Sequence, residues 1–216
     1  MSEETPWWDT GWEANMEGEK NGSASNNLRF WLKKGSSAQL IFLTDVPQFV
    51  SWEHNPMIDG KFKNPVTCPK MMKQPCELCN TGVYRYRAAF FTVIDTTEWT
   101  DKKGKVHEFT KRLFVAKQST WEKLQRQSKR RAEKGESLRG AVYTVTRGTA
   151  DTAPAVGEDF EFEEMLDLND LPEELRTEFD YGKLMKPDVD LVNSLAGRAA
   201  PATSSSPATS TKPVAY

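Results

Sequence analysis

His54, Cys68, Cys76 and Cys79 form the pattern H-x13-C-x7-C-x2-C, and no other feature of the 216-residue chain restricts its fold as tightly. The three cysteines are the only ones present and fall within twelve positions, too few and too crowded for a disulfide framework. Two residues between Cys76 and Cys79 let both sulfurs reach one ion. With His54 and Cys68 they supply four soft or borderline donors, a set suited to tetrahedral zinc. The excursion 55–80 has few large apolar residues, while ordering each residue costs about 1–2 kcal/mol. A structural zinc, contributing roughly 10–16 kcal/mol, offsets part of that.

The other uses of such thiols fit less well. A redox C-x-x-C belongs beside a βαβ pattern, which is not visible, and inert buried thiols rarely cluster among residues such as Lys70, Lys73, Gln74 and Glu77. His107, the second histidine, reads as a surface residue of a hairpin strand. Pro75-Cys76-Glu77-Leu78-Cys79 matches half of the zinc deaminase signature, but Asn55-Pro56 follows His54, so the glutamate of H-x-E is missing. Four protein ligands leave no position for a catalytic water, and the metal is expected to be structural.

Charge is segregated behind a net charge of -2. Residues 1–27 carry -5, 28–147 carry +12, 148–190 carry -11 and 191–216 carry +2. A basic block that also holds most of the aromatic residues attracts polyanions, so nucleic acid is the first partner to consider. The chain has no apolar run near 18 residues, and its acidic start, Met1-Ser2-Glu3-Glu4, lacks the basic and apolar regions of a signal peptide. A cytoplasmic location with no membrane partner is expected.

Short β-branched and aromatic runs at 38–44 and 48–54 read as strands broken by Asp45-Val46-Pro47. Residues 84–99 and 106–117 read as a hairpin turning through Asp101-Lys102-Lys103-Gly104. Ser119 and Glu122 have the spacing of a capping box; Trp121 and Leu124 start the helix's apolar face, and Gly135 stops it. Residues 141–147 and 159–165 alternate as two further strands, with Phe160 and Phe162 on one face. Asp170 is placed to cap a last helix with Pro172 in its first turn. The expected fold is mainly β: a five-stranded OB-fold barrel with an inserted zinc subdomain, one or two helices and disordered tails. A β-sandwich fits the strands nearly as well. The expected organisation is an acidic, Trp-containing arm at 1–27 and a core at 28–166 with its zinc knuckle at 54–80. An acidic helical segment at 167–190 and a low-complexity tail at 191–216 follow.

Unpaired strands are held by stacking bases on rings while cations track the phosphates. The sequence interleaves both kinds, and the candidate DNA contacts are Trp31, Lys33, Lys34, Trp52, Tyr84, Arg85, Tyr86, Arg87, Trp99, Lys111 and Arg112. Period-2 alternation puts Tyr84 and Tyr86 on one strand face and Arg85 and Arg87 on the other. Phe42, Phe90 and Phe91 are assigned to the barrel core.

These residues together resemble a known family, the zinc-containing single-stranded DNA-binding proteins of T-even-type bacteriophages and their distant phage relatives, over 28–166. The most specific element is the order His, Cys, Cys-x-x-Cys at His54, Cys68, Cys76 and Cys79. The resemblance implies an OB-fold with a zinc subdomain between strands. It also implies a non-enzymatic coat for transient single strands in replication, recombination and repair, working in the bacterial host cytoplasm, with an acidic segment that recruits replication proteins. Two features depart from the family: the amino-terminal arm here is acidic and tryptophan-rich instead of basic, and the acidic segment precedes a nearly neutral tail. The alternative is a zinc-ribbon interaction module that recruits or modulates a host or phage polymerase. A nuclease or deaminase would need an open metal or a carboxylate cluster.

Overall fold

The computed structural model describes residues 28–100, 104 and 106–199. The tryptophan-rich arm at 1–27 and the low-complexity chain from 200 onward lie outside the described residues. Among those described, no helix is long and apolar enough to cross a membrane.

The architecture is mainly β. In chain order the elements are β1 (Ser37–Phe42), β2 (Phe49–His54), the two-residue strands β3 (Met57–Ile58), β4 (Lys61–Phe62) and β5 (Val66–Thr67), and a short helix α1 (Glu77–Asn80). The long strand β6 (Arg85–Asp95), the short pair β7 (Trp99–Thr100) and β8 (Val106–His107), and β9 (Thr110–Ala116) come next. Helix α2 (Gln118–Ala132), β10 (Ala141–Thr146), β11 (Asp159–Met165), α3 (Tyr181–Leu184) and α4 (Val189–Ala196) complete the set. Seven strands form one antiparallel sheet in the order β11-β10-β1-β6-β2-β5, with β9 on the other edge of β6. The six longer strands, β1, β2, β6, β9, β10 and β11, match the six runs expected from the sequence, whereas the two-residue strands are not expected as separate elements because their apolar pattern is too short to register.

β6 organises this sheet because two strands share one of its edges. β2 pairs with its first half, Phe49 opposite Phe90 and His54 opposite Arg85, and β1 pairs with its end, Phe42 opposite Val93. β9 lies along the other edge from Asp95 to Ala89, where Ala116 ends the ladder. Residues 85–88 of β6 therefore run past β9. Alternation along these strands builds two buried layers. Leu40, Phe42, Val50, Ala89, Phe91, Val93, Phe114 and Tyr143 face one core, which α2 covers with Trp121 and Leu124. Phe49, Tyr86, Ala88, Phe90, Leu113 and Val115 face the opposite side. Phe90 is thus buried on the outer layer, and only Phe42 and Phe91 of the three assigned phenylalanines reach the inner core.

No ladder joins β9 to β11 among the described residues, so the sheet is not a closed barrel. The stretch 28–32 occupies this region. Leu113 N–H donates to Leu28 at 2.8 Å, Phe30 N–H to Leu113 at 2.8 Å, and Leu32 N–H to Ala155 at 2.8 Å. Phe30 and Leu32 drop into the inner core, Phe30 stacking on Phe114 with ring centres 6.0 Å apart. Phe160 and Phe162 approach the same core from β11, as their alternation predicts.

Three local expectations need correcting. The helix after β9 starts at Gln118 with Lys117 as its cap, so Ser119 lies inside it and the capping box is not formed; the Gln118 side-chain amide donates instead to Glu122 at 2.8 Å. The cluster Lys129-Arg130-Arg131 reads from the sequence as a solvated face, but Arg131 is buried with its guanidinium 3.5 Å from the centre of the Phe162 ring. No continuous helix follows Asp170. Asp167 caps a single 3-10 turn, Pro172 precedes another, and α4 runs through the boundary placed at 190. Pro172 has no amide hydrogen and Leu171 before it is held extended, which interrupts any longer helix.

From 166 to 185 the chain straps the outer layer. Tyr181 stacks on Phe49 with ring centres 5.9 Å apart, and its hydroxyl hydrogen-bonds Thr92 Oγ1 at 2.8 Å. Gly140, at the entry to β10, has φ +84 and its amide donates to Phe42 at 2.8 Å. A Cβ there would stand 2.7 Å from the Leu166 carbonyl oxygen. Gly140→Ala is therefore expected to cost about 1–3 kcal/mol, read in a thermal melt as a Tm lowered by roughly 2–12 °C. An unchanged Tm would refute the close approach.

Candidate metal centre and adjoining cleft

β2 ends at His54, and the chain returns to β6 only at Arg85, directly opposite His54 in the ladder. The whole insertion thus begins and ends on one pair of neighbouring residues. Within it, a 3-10 turn follows Cys68 and α1 follows Cys76, so that the Cys76 carbonyl accepts the Cys79 amide at 3.1 Å. This turn folds the C-x-x-C pair into a knuckle. His54, Cys68, Cys76 and Cys79 present ligand atoms that all lie within 4.8 Å of one another. His54 Nε2 is 3.2 Å from Cys76 Sγ and 3.4 Å from Cys79 Sγ, and Cys68 Sγ is 3.6 Å from Cys79 Sγ.

Those distances test the fit of a metal. A tetrahedral ion with bonds of about 2.3 Å to sulfur and about 2.0–2.1 Å to nitrogen sets its ligand atoms about 3.5–3.8 Å apart. These three separations lie within a few tenths of an ångström of that range. His54 Nδ1 lies 3.3 Å from the Val83 carbonyl, and donation to it fixes the tautomer that leaves Nε2 free to bind metal. Arg85 Nη1 lies 3.9 Å from Cys79 Sγ, where it would offset the net negative charge of three thiolates around a divalent ion. The residues present therefore form a His/Cys3 cluster compatible with a structural metal ion.

The protonation of the thiols follows from the same crowding. A hydrogen bond from Cys76 holds Cys68 far below the ordinary thiol range, down to about 4, against the desolvation of burial. That same bond pushes Cys76 up, with burial adding to it, and burial raises Cys79.

The back of the knuckle is apolar. Val66, Leu78 and Val83 pack with Cys68 and Cys76, and α4 seals them with Val192 and Ala196. Trp52 packs on this cluster from β2, with the Arg85 guanidinium 4.6 Å and the Arg87 guanidinium 5.7 Å from its ring centre. The two arginines face away from Tyr86, as alternation predicts, but they cover the Trp52 ring instead of leaving it open.

Where 85–88 run past β9, a cleft of about 1160 Å³ opens. Arg29, Trp31, Tyr86, Arg87 and Lys117 line it, with Pro65 from the insertion and the loop 152–156 completing the rim. Trp31 is 61% exposed, an unusual state for the largest apolar side chain. Tyr86 is buried in the cleft floor with Lys117 Nζ 3.7 Å from its ring centre. Arg29 donates to the buried Glu53 carboxylate and to Tyr86. Desolvation opposes its charge, but Glu53 and Tyr86 together outweigh that and raise Arg29 further above its ordinary range. Desolvation lowers Arg87.

The candidate DNA contacts are divided by this geometry. Trp31, Tyr86 and Arg87 meet in the cleft; Trp52 and Arg85 flank it on the knuckle side. Tyr84 is 49% exposed and outside the lining. Lys33 is exposed, and Lys34 pairs with Asp151. Lys111 Nζ donates to the Glu174 carbonyl at 2.8 Å and lies 5.9 Å from the Phe179 ring centre, so the acidic strap engages it. Arg112 stands opposite Val93 in the β6–β9 ladder, outside the lining. Trp99 is the first residue of β7, and its side chain lies outside the described residues, as does that of His107. The sequence reading missed Arg29 and Lys117. The signal for Lys117 was weak, a single cation beside a strand end with no ring next to it, whereas Arg29 directly precedes Phe30 and Trp31 and carried the same interleaved pattern as the residues named.

No protein-family model, curated protein or solved structure matches the chain.

Two measurements test the centre. Elemental analysis is expected to find bound metal in the purified protein and its loss in the Cys76→Ser, Cys79→Ser variant; equal content in both would remove the site. Loading the metal-free protein should release protons, because the ligating sulfurs bind as thiolates. Affinity therefore falls as pH falls, and calorimetry in buffers of different ionisation heat reads the count.

Proposed function

We propose that the protein is a non-enzymatic single-stranded DNA-binding protein whose zinc knuckle braces one wall of the binding cleft. The observation that carries this reading is the cleft itself, where an exposed tryptophan stands with Tyr86, Arg87 and Lys117 at the end of the sheet. Trp31 offers a face on which any base can stack, and the cations meet phosphates, so binding is nearly independent of sequence. The segregated charge supports it: the block 28–147 carries +12 and its counter-charge lies in flanking segments.

The strand order supports an OB-type fold. Taking β1 and β2 as one bent strand, the order β11-β10-β1/β2-β6-β9, with α2 between β9 and β10, is that of an OB-fold whose closing pairing is absent. The insertion between β2 and β6 is then the zinc subdomain, and three thiolates with one imidazole favour zinc among the common divalent ions. A role in phage-type replication, recombination and repair, with the acidic strap recruiting partner proteins, extends the same reading.

Titration of a labelled oligothymidylate at several salt concentrations tests the proposal. The expected result is a falling log K with log salt, with a slope of about -0.7 for each phosphate neutralised. Trp31→Ala should weaken binding roughly 5- to 100-fold without lowering Tm, because its ring is exposed in the free protein. A flat salt response and an unaffected Trp31→Ala variant would refute the mechanism.

A further inference from the structure

The insertion carries a second feature that neither the metal nor the cleft accounts for. β3 and β4 form a two-stranded hairpin, Met57 opposite Phe62 and Ile58 opposite Lys61, closed by Asp59-Gly60. Both turn residues have positive φ, 53 and 71, as the tightest hairpin turn requires. The hairpin is fixed at its base. Ile58 is buried and Lys63 N–H donates to the Pro56 carbonyl at 2.8 Å, while Arg198 lies 3.9 Å from Asp59 in the turn. On this rigid support Phe62 is 66% exposed, the most exposed large apolar side chain among the described residues, and exposed lysines flank it at 61 and 63.

A single exposed phenylalanine is ordinary on a protein surface. Three circumstances set this one apart. Its flanking charges match those of the cleft in sign, the turn holds the ring at little further entropic cost, and the chain runs from it straight into the cleft rim. Pro65 lines that rim three residues on, a reach of at most about 10 Å.

We propose that the β3–β4 hairpin is a second contact for single-stranded nucleic acid, where Phe62 stacks on a base beyond the cleft and Lys61 and Lys63 hold the adjoining phosphates. The inference rests on the single-strand reading of the cleft and extends its binding path onto the metal-braced insertion. A strand too short to leave the cleft would not feel the hairpin, whereas a longer one would.

The test compares oligothymidylates of roughly 4 and roughly 16 nucleotides, the range of OB-type site sizes, with the full-length, metal-loaded protein. Phe62→Ala is expected to weaken the long oligonucleotide roughly 5- to 100-fold, leaving the short one unchanged, and Phe62→Trp to restore affinity. Lys61→Gln with Lys63→Gln should flatten the salt slope by about 1.4 for the long strand only. Metal content equal to that of the unaltered protein shows that the insertion is intact in each variant. Unchanged affinity of Phe62→Ala for the long strand would overturn the hairpin contact while leaving the cleft reading standing. Failure of the unaltered protein to bind either length would overturn both.

Discussion

The convergence of His54, Cys68, Cys76 and Cys79 on one point is the constraint from which the rest of the site follows. His54 closes β2 and stands opposite Arg85, the first residue of β6, so the cluster pins together the two strands whose ends form the cleft wall. A 30-residue excursion between paired strand ends would cost more to order than its few apolar side chains return. An ion held by these four donors would supply what the core cannot. Arg85 joins the cluster to the cleft wall, with one nitrogen near Cys79 and its guanidinium 4.6 Å from the Trp52 ring centre.

The cleft in turn depends on a mismatch of strand lengths. β6 is eleven residues long and β9 seven, and the overhang leaves Tyr86 and Arg87 at an edge that no ladder covers. Because adjacent residues of a strand face opposite ways, only at such an edge can neighbours line one cavity. The stretch 28–32 supplies the facing wall. Its alternation puts Phe30 and Leu32 into the core and leaves Arg29 and Trp31 for the cleft.

Much of this was legible from the residues. The ligand set could be read because metal chemistry demands particular residue types at short spacing, and the long hairpin and the faces of β11 could be read from alternation. The cleft could not. Lysine and arginine carry no spacing rule, so nothing in the sequence separates Lys111, which the strap engages, from Lys117, which lines the cleft. The Asp59-Gly60 turn was visible as a dipeptide, but strands of two residues give no periodicity to flank it. Helices from 167 onward were misjudged because their order comes from docking on Phe49, Thr92 and the knuckle, which lie far away in sequence.

Helix α4 has a consequence for how the molecule comes apart. Its Val192 and Ala196 share one apolar cluster with two of the thiol-bearing residues, while the chain just before it is fastened to the outer layer through Tyr181 and Met185. The insertion, the strap and the sheet are thus linked in a ring of contacts and do not hang as separate appendages. Local opening at the knuckle must release α4, and loosening of the strap must expose the knuckle's apolar lining to water. The two regions behave as one cooperative unit, whose amide exchange should rise and fall together.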